Sequence, residues 1–533
     1  MKKKLLLFVI LFVSTISKAQ NGPRAMVAEG ILEGTFESGV KVFKGVPFAT
    51  PPIGDLRWRA PQPAKHWNGV RKAQKFGPDP MQENIYGDMI FCADSRSEDC
   101  LYLNIWTPSK TMDEGLPVLI YFNGGALIAG SGSEPRYAGL SLAREGVISI
   151  TANYREGIFG FFCCTELSKE STYKGSGNYG FMDQVAAIKW VKNNIKAFGG
   201  NPSRITVVGE SAGSMSVSAL MASPLCKGLF SQAIGSSGSV MGLHRLATLH
   251  EAEKNGDAKI SSMGCKNLRE MRALPADELL KKAAVKGLAQ YNIDGYFFTE
   301  QPVETYRKGH QLQIPLMVGG TSTEIGSFNF NGMSPSIDNV KDFVAKRHGD
   351  KAERIVDLYG IHTDADLQSN KILDLASDLF IGFSTWHWWK LHQQTTSKPV
   401  YRYNYCWPRP AMILNDKINS LAGGGIDNKH NNPLASRAKG AVHSADIEYA
   451  MGTLSTNRVY DWQAEDYIVS KQFMKYYVNF IKTGNPNGLG LVDWSATNGK
   501  SVAPVMQIGL HCIEKADADL EKRYESLSKL FNY

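Results

Sequence analysis

The chain has 533 residues, of which 43% are hydrophobic, 10% aromatic and 21% charged, with a formal net charge of +8. Length and composition fit a soluble globular protein with a substantial core, built as one very large domain or two to three ordinary ones. Clustered Lys/Arg runs with interleaved aromatics are missing, which argues against nucleic acid as a partner.

The N-terminus, MKKKLLLFVILFVSTISKAQ, has a basic start at Lys2 to Lys4, an apolar run over residues 5–13 and small residues at Ser17 and Ala19. This is the pattern of a signal peptide cut after Ala19, leaving residues 20–533 as the mature protein, secreted or periplasmic. A membrane anchor needs about twenty continuous apolar residues, and this run is shorter and ends in Ser, Thr and Lys, so no stable anchor is expected. Removing residues 1–19 takes away four lysines and no acid, which brings the charge from +8 to +4. Export makes disulfides permissible. Cys92 and Cys100 could close a small loop; Cys163, Cys164, Cys226, Cys265, Cys406 and Cys512 are scattered, without the paired spacing of a zinc site, and read as buried thiols.

Residues 30–68 are dense in Gly and Pro and suggest an antiparallel lead-in of short strands and turns. Residues 97–108, SEDCLYLNIWTP, alternate apolar and polar as a half-buried strand does, while residues 116–122, LPVLIYF, are nearly continuous apolar, as in a central strand covered on both faces. That second strand runs into Asn123-Gly124-Gly125-Ala126, where glycines let backbone amides face a bound atom. Residues 146–152 predict another buried strand. Over residues 180–197 Val185, Ile188, Trp190, Val191 and Ile195 make a helical core stripe. The strand, helix, strand succession implies parallel βαβ units. Further strands are expected at residues 205–208, 230–235, 315–320 and 399–405, with a charged helical insertion over residues 240–310 and helices over 335–395. A polar loop from about 407 to 440 delivers His443, and a helix near 466–483 precedes a short C-terminal strand. No repeat or linker divides the chain.

Residues 205–213, ITVVGESAG, place the pattern G-x-S-x-G after a β-branched strand and at the start of a helix over 212–222. Five letters alone can arise by chance, but this strand–turn–helix context is what a nucleophile elbow requires, with Ser211 lifted clear of the sheet and Gly209 and Gly213 leaving room for the turn. A serine hydroxyl is a poor nucleophile at neutral pH, so it needs an imidazole base and an acid to orient it, in the chain order Ser, acid, His. Glu324, in GGTSTEIGSF, follows a strand; on its own it reads equally as a solvated glutamate. His443, in GAVHSADIEYAMG, is the leading histidine, His430 the runner-up, and His387, His392 and His511 are weaker alternatives.

These residues resemble the type-B carboxylesterases, a family that includes cholinesterases, bile-salt-activated lipases and bacterial para-nitrobenzyl esterases. The resemblance runs from about Val27 to the C-terminus on FGGNPSRITVVGESAG and EDCLYLNIWTP, supported by VFKGVPFATPP, NYREGIFGFF and GNYGFMDQ. It implies an α/β-hydrolase fold, a large, mostly parallel sheet with helices on both faces and helical insertions over the active site, in a single domain over 20–533. It further implies a Ser211, Glu324, His443 triad, an oxyanion hole from the N–H groups of Gly124, Gly125 and Ala212, a Cys92–Cys100 disulfide, a small-molecule ester substrate, and no metal or cofactor. Glu210 and Ser237 are possible helpers. Cys265 matches a family cysteine position whose usual partner is missing, with Cys226 as a substitute. Two departures stand out: the Cys92–Cys100 interval is short, so the long aromatic-bearing loop of the cholinesterases is expected to be missing, and the loop after residue 122 is altered. Where relatives commonly have His-Gly-Gly-Gly and an aromatic, this chain has Asn123-Gly124-Gly125-Ala126-Leu127, so the acyl pocket and its supporting loop are expected to differ. Two rival readings remain at this stage. One is a non-catalytic recognition protein on the same fold; the other is an amidase, thioesterase or lactonase using the same groups.

Overall fold

A computed structural model describes residues 22–283, 290–325, 336–413, 440–500 and 503–533. Its centre is an eleven-stranded sheet. In chain order the strands are β1 (Thr35–Glu37), β2 (Val40–Pro47), β3 (Tyr102–Thr107), β4 (Leu116–Phe122), β5 (Ile148–Ala152), β6 (Gly200–Glu210), β7 (Gln232–Ser236), β8 (Leu316–Thr321), β9 (Val400–Tyr405), β10 (Val505–Ile508) and β11 (Ile513–Lys515). Across the sheet they run β11-β10-β9-β8-β7-β6-β4-β5-β3-β2-β1. From β10 to β5 every neighbouring pair is parallel, and antiparallel pairs close both edges. This is the expected α/β architecture, including the antiparallel lead-in.

The apolar run of β4 shows why the sheet is covered twice. Val118, Ile120 and Phe122 enter one core cluster, while the alternate residues Leu119 and Tyr121 enter another on the opposite face. On the first face lie helix Tyr179–Asn194, whose predicted stripe of Val185, Ile188, Trp190 and Val191 is buried, and helix Ala212–Ala222 with Val217 and Leu220. Helix Ala464–Thr483 covers the second face with Val469, Phe473 and Phe480. The charged insertion is helical as expected, and Thr248 and Glu251 form a reciprocal capping box at the start of Leu249–Ser262.

Three expectations need correction. The strand expected after helix Ala464–Thr483 is present, as β10 and β11, but the chain does not end on it. After β11 comes helix Ala518–Leu530, started by the Asp517 side chain accepting from the Leu520 N–H and docked through Tyr524, Leu527 and Leu530. The Cys92–Cys100 bond is not formed; both are free thiols. Cys100 is turned into the core beside Trp58, Met81 and Phe159, whereas Cys92 sits on an exposed loop with its N–H bonded to Ser133 Oγ at 3.1 Å. Cys226 and Cys265 are likewise free, each buried in the apolar core. The expected signal peptide, the runner-up His430 and most of the 407–440 loop lie outside the described residues. Among the described residues no helix is long and apolar enough to cross a membrane.

Candidate active site

Three sequence-predicted side chains converge at the carboxyl edge of the sheet, the edge where open α/β sheets hold their ligands. Ser211 directly follows β6, Glu324 lies three residues beyond β8, and His443 lies beyond β9. His443 Nε2 is 2.8 Å from Ser211 Oγ, and His443 Nδ1 is 2.7 Å from Glu324 Oε2. The backbone reinforces the pairing, since the His443 N–H donates to the Glu324 carbonyl at 3.1 Å.

Ser211 has φ 55° and ψ −123°, a conformation costly for any residue with a Cβ. Its neighbours hold it there. The Ser211 N–H donates to Ser236 O at 2.8 Å and the Met215 N–H to Ser211 O at 2.9 Å. A Cβ on Gly209 would stand 2.3 Å from the Gly213 carbonyl carbon, and one on Gly213 would stand 2.2 Å from Phe122 O, so β6, the turn and its helix approach closely enough to demand glycine at both positions.

Glu324 is fixed by its other oxygen. Oε1 accepts from Ser237 Oγ at 2.6 Å and from the Thr321 N–H at 2.8 Å, leaving Oε2 for the imidazole. Ser237 therefore does contact the acid. Glu210, the other helper, places Oε1 3.4 Å from His443 Nε2. Enclosure pushes the Glu210 carboxyl up to about 8. For His443, burial works against the imidazolium, but Glu210 and Glu324 outweigh it and raise the imidazole to about 9.

Ser211, Gly124, Gly125 and Ala212 line one cavity of about 540 Å³. Gly124 lies against the nucleophile, where an added Cβ would be 3.1 Å from Ser211 Cβ. Gly125, at φ 109°, begins a tight loop whose carbonyl accepts from the N–H groups of Ile128 and Ala129. Neither Asn123 nor Leu127 is among the described residues that line the cavity. Leu127 belongs to the core, and Asn123 is buried with Nδ2 donating to Glu156 Oε1 at 3.0 Å. Of the changed positions, Asn123 and Leu127 thus act on the support of the loop, while Ala126 is part of the cavity wall.

The alternative histidines are occupied elsewhere. His387 Nδ1 faces Met241 O, and His392 bridges Gln311 and the Ile314 carbonyl. Sequence reasoning misses Arg136, Phe380 and Ser444, all of which line the cavity. Phe380 sits in a one-turn π-helix, Asp378–Gly382, and sets its ring edge-on to His443 at 5.0 Å. No periodicity marks such an insertion. For Ser444 the only available signal is its place beside His443, and for Arg136 none is visible.

Comparison with known proteins gives the family and the fold. The model of a family described as "Carboxylesterase family" matches residues 21–526. The chain is 39% identical over 381 residues to a fumonisin B1 esterase of Sphingopyxis macrogoltabida, an alignment covering 67% of this chain and 69% of that protein. It is 31% identical over 521 residues to the para-nitrobenzyl esterase of Bacillus subtilis, covering 93% and 96%. Among solved structures, a PNB esterase superposes with a TM-score of 0.78 at 29% identity, covering 94% of this chain and 98% of that one. A Geobacillus stearothermophilus carboxylesterase does so with a TM-score of 0.78 at 27% identity, covering 95% and 99%.

Proposed function

The chain belongs to the carboxylesterase family and is a carboxylic ester hydrolase, and from that premise we propose that it works through an acyl-enzyme on Ser211. Ser211 Oγ attacks the ester carbonyl while His443 Nε2 takes its proton. Glu324 holds the ring through Nδ1 and stabilises the imidazolium. The carbonyl oxygen gains its charge against the N–H groups of Gly124, Gly125 and Ala212, each donor contributing roughly 3 kcal/mol at such sites. His443 then protonates the departing alcohol, and water, activated by the same nitrogen, releases the acid.

The observation that carries this reading is the unbroken hydrogen-bonded series from Glu324 through His443 to Ser211, ending at a strained serine. Ser211→Ala should lose hydrolysis of p-nitrophenyl butyrate by at least about a thousandfold and lose labelling by a fluorophosphonate probe. Retained turnover in that variant overturns the mechanism. Retained binding of esters without turnover in the unmutated protein would favour a recognition role instead. The printed names of the relatives make fumonisin B1 and p-nitrobenzyl esters early substrates to assay. We also propose export, on the basic and apolar N-terminal pattern; mature protein that retains its first 19 residues would refute it.

A further inference from the structure

Residues 371–395 form one run of helix interrupted by the π-turn Asp378–Gly382, where the Phe383 N–H donates to Asp378 O. A π-turn adds a residue to the helix and is rare outside functional sites. This one has two sides. Phe380 and Ile381 line the cavity around Ser211, and the Phe380 ring lies edge-on to His443 with 5.0 Å between ring centres. Asp378, at the start of the turn, is not among the described residues that line the cavity and is only 6% exposed.

Asp378 is where the turn is tied to the outer helices. Its Oδ1 accepts from Tyr524 Oη at 2.6 Å, and its Oδ2 accepts from Tyr359 Oη and from Arg523 Nε, both at 2.9 Å. Arg523 and Tyr524 belong to the C-terminal helix Ala518–Leu530, and Tyr359 directly follows helix Ala352–Leu358. The guanidinium bond is charge-assisted and therefore the strongest of the three. Gly382, at the other end of the turn, leaves the room these bonds need: a Cβ there would stand 2.7 Å from Tyr524 Oη and 3.0 Å from Asp378 Oδ1. Two further bonds flank the turn without belonging to it, from the Ile325 N–H to Ser377 Oγ at 3.0 Å and from Ser239 Oγ to Ser384 O at 2.6 Å.

Phe380, by contrast, is 50% exposed. A ring with so little packing of its own is not kept beside His443 by its neighbours, so the backbone beneath it decides where it stands. We propose that Asp378 is a positioning residue for the reaction: held by Tyr359, Arg523 and Tyr524, it fixes the π-turn so that Phe380 bounds the ester cavity beside His443. Asp378 acts through the ring and touches no reacting atom. This assignment rests on the acyl-transfer reading of Ser211, in which His443 is the base.

The test is a double-mutant cycle read in kcat and KM for p-nitrophenyl butyrate, on the unmutated protein, Asp378→Ala, Phe380→Ala and the double variant. Phe380→Ala removes a wall of the cavity and leaves the triad its bonds, so KM should rise by about fivefold or more and kcat change less. Asp378→Ala should do the same. In the Phe380→Ala background, however, Asp378→Ala should add no more than about twofold, because both act through one ring. Asp378→Asn, which keeps an acceptor for Tyr524, should recover part of the loss. A merely structural Asp378 would lower activity by the same factor with or without the ring, and that result overturns the proposal. So does a normal KM in either single variant, or a loss carried by kcat alone. Should Asp378→Ala not fold, Tyr524→Phe, which deletes one hydroxyl, takes its place in the same cycle. Ser211→Ala separates the two failures. Activity in it brings down the acyl-transfer reading, whereas an inactive Ser211→Ala beside independent effects of Asp378 and Phe380 brings down the positioning role alone.

Discussion

Glu210 Oε1 lies 3.4 Å from His443 Nε2, the same imidazole nitrogen that faces Ser211 Oγ. Since Glu324 holds Nδ1 at 2.7 Å, the ring stands between two buried carboxylates.

This arrangement makes a prediction about pH. The base must be neutral to accept the serine proton, and the two carboxylates, outweighing burial, raise His443 to about 9. The value of kcat/KM for an uncharged ester should therefore climb with pH and level off only near that value. Glu210→Gln removes one anion and with it part of the support for the imidazolium, so the imidazole pKa falls and the rising limb moves to lower pH by about one unit. A pH–rate profile of both proteins with p-nitrophenyl butyrate checks this; coincident limbs would mean that Glu210 carries no charge near His443.

Glu324→Gln addresses the other side of the ring. Oε1 is held by Ser237 and Thr321, so the substituted amide would turn its N–H₂ towards His443 Nδ1. Two donors then face each other, and relief comes from the tautomer with its proton on Nε2, where Ser211 needs an acceptor. With geometry intact, kcat should drop by about 10²–10⁴-fold with KM little changed. Steady-state kinetics with an unaltered melting temperature would bear this out, and activity within a few-fold of normal would remove Glu324 from the triad.

The oxyanion loop should be intolerant of added bulk at one position and not at a control. A Cβ on Gly125 would lie 2.0 Å from Ala129 O, at a φ of 109° that side chains rarely adopt. Gly125→Ala must therefore shift the loop, turn its N–H groups away and cost about 10²-fold in kcat. Gly509 joins β10 to β11, and a Cβ there would meet nothing within 4 Å, so Gly509→Ala should leave kcat and the melting temperature alone. Equal behaviour of the two variants would argue against a specific role for Gly125.

How legible each part was depended on whether its cause is local. The run Leu116–Phe122 has the bounds expected and the helix begins at Ala212 as expected, because continuous apolar character and a strand–turn–helix motif are local signals. Ser211 was legible from its turn chemistry. Glu324 and His443 needed the resemblance, because 119 residues separate the two from each other and 232 separate His443 from Ser211. Helix Ala518–Leu530 carried a readable cap in Asp517 but a charged sequence that masks its buried face. Phe380 and Arg136 were illegible, since a π-turn and a long side chain reaching a cavity depend on packing between distant segments. The cysteine expectation failed for a related reason. Sequence spacing says how long a loop is, but not that Cys100 points inward while Cys92 stays outside.

Asn123 stands where relatives commonly place histidine, and its surroundings explain how the loop keeps its shape. Nδ2 donates to Glu156 Oε1 and to Gly124 O, both at 3.0 Å, while Tyr154 Oη donates to Asn123 O at 2.9 Å. The amide has no freedom to turn, because the space beside it is closed by Gly130, where a Cβ would lie 1.9 Å from Nδ2. Burial pushes the Glu156 carboxyl well above the ordinary carboxylate range, and the Asn123 amide pulls it back by donating to it. Asn123→Ala deletes that bond and leaves a buried acid without its donor, which should cost about 1–3 kcal/mol of stability. It also frees the Gly124 carbonyl, so the amides of Gly124 and Gly125 lose their aim and kcat should fall by about tenfold, with a smaller change in KM. Urea denaturation and steady-state kinetics on one preparation read both effects. Loss of stability with full kcat would show that the Asn123 amide supports the fold and leaves the oxyanion loop to be held by its glycine turn.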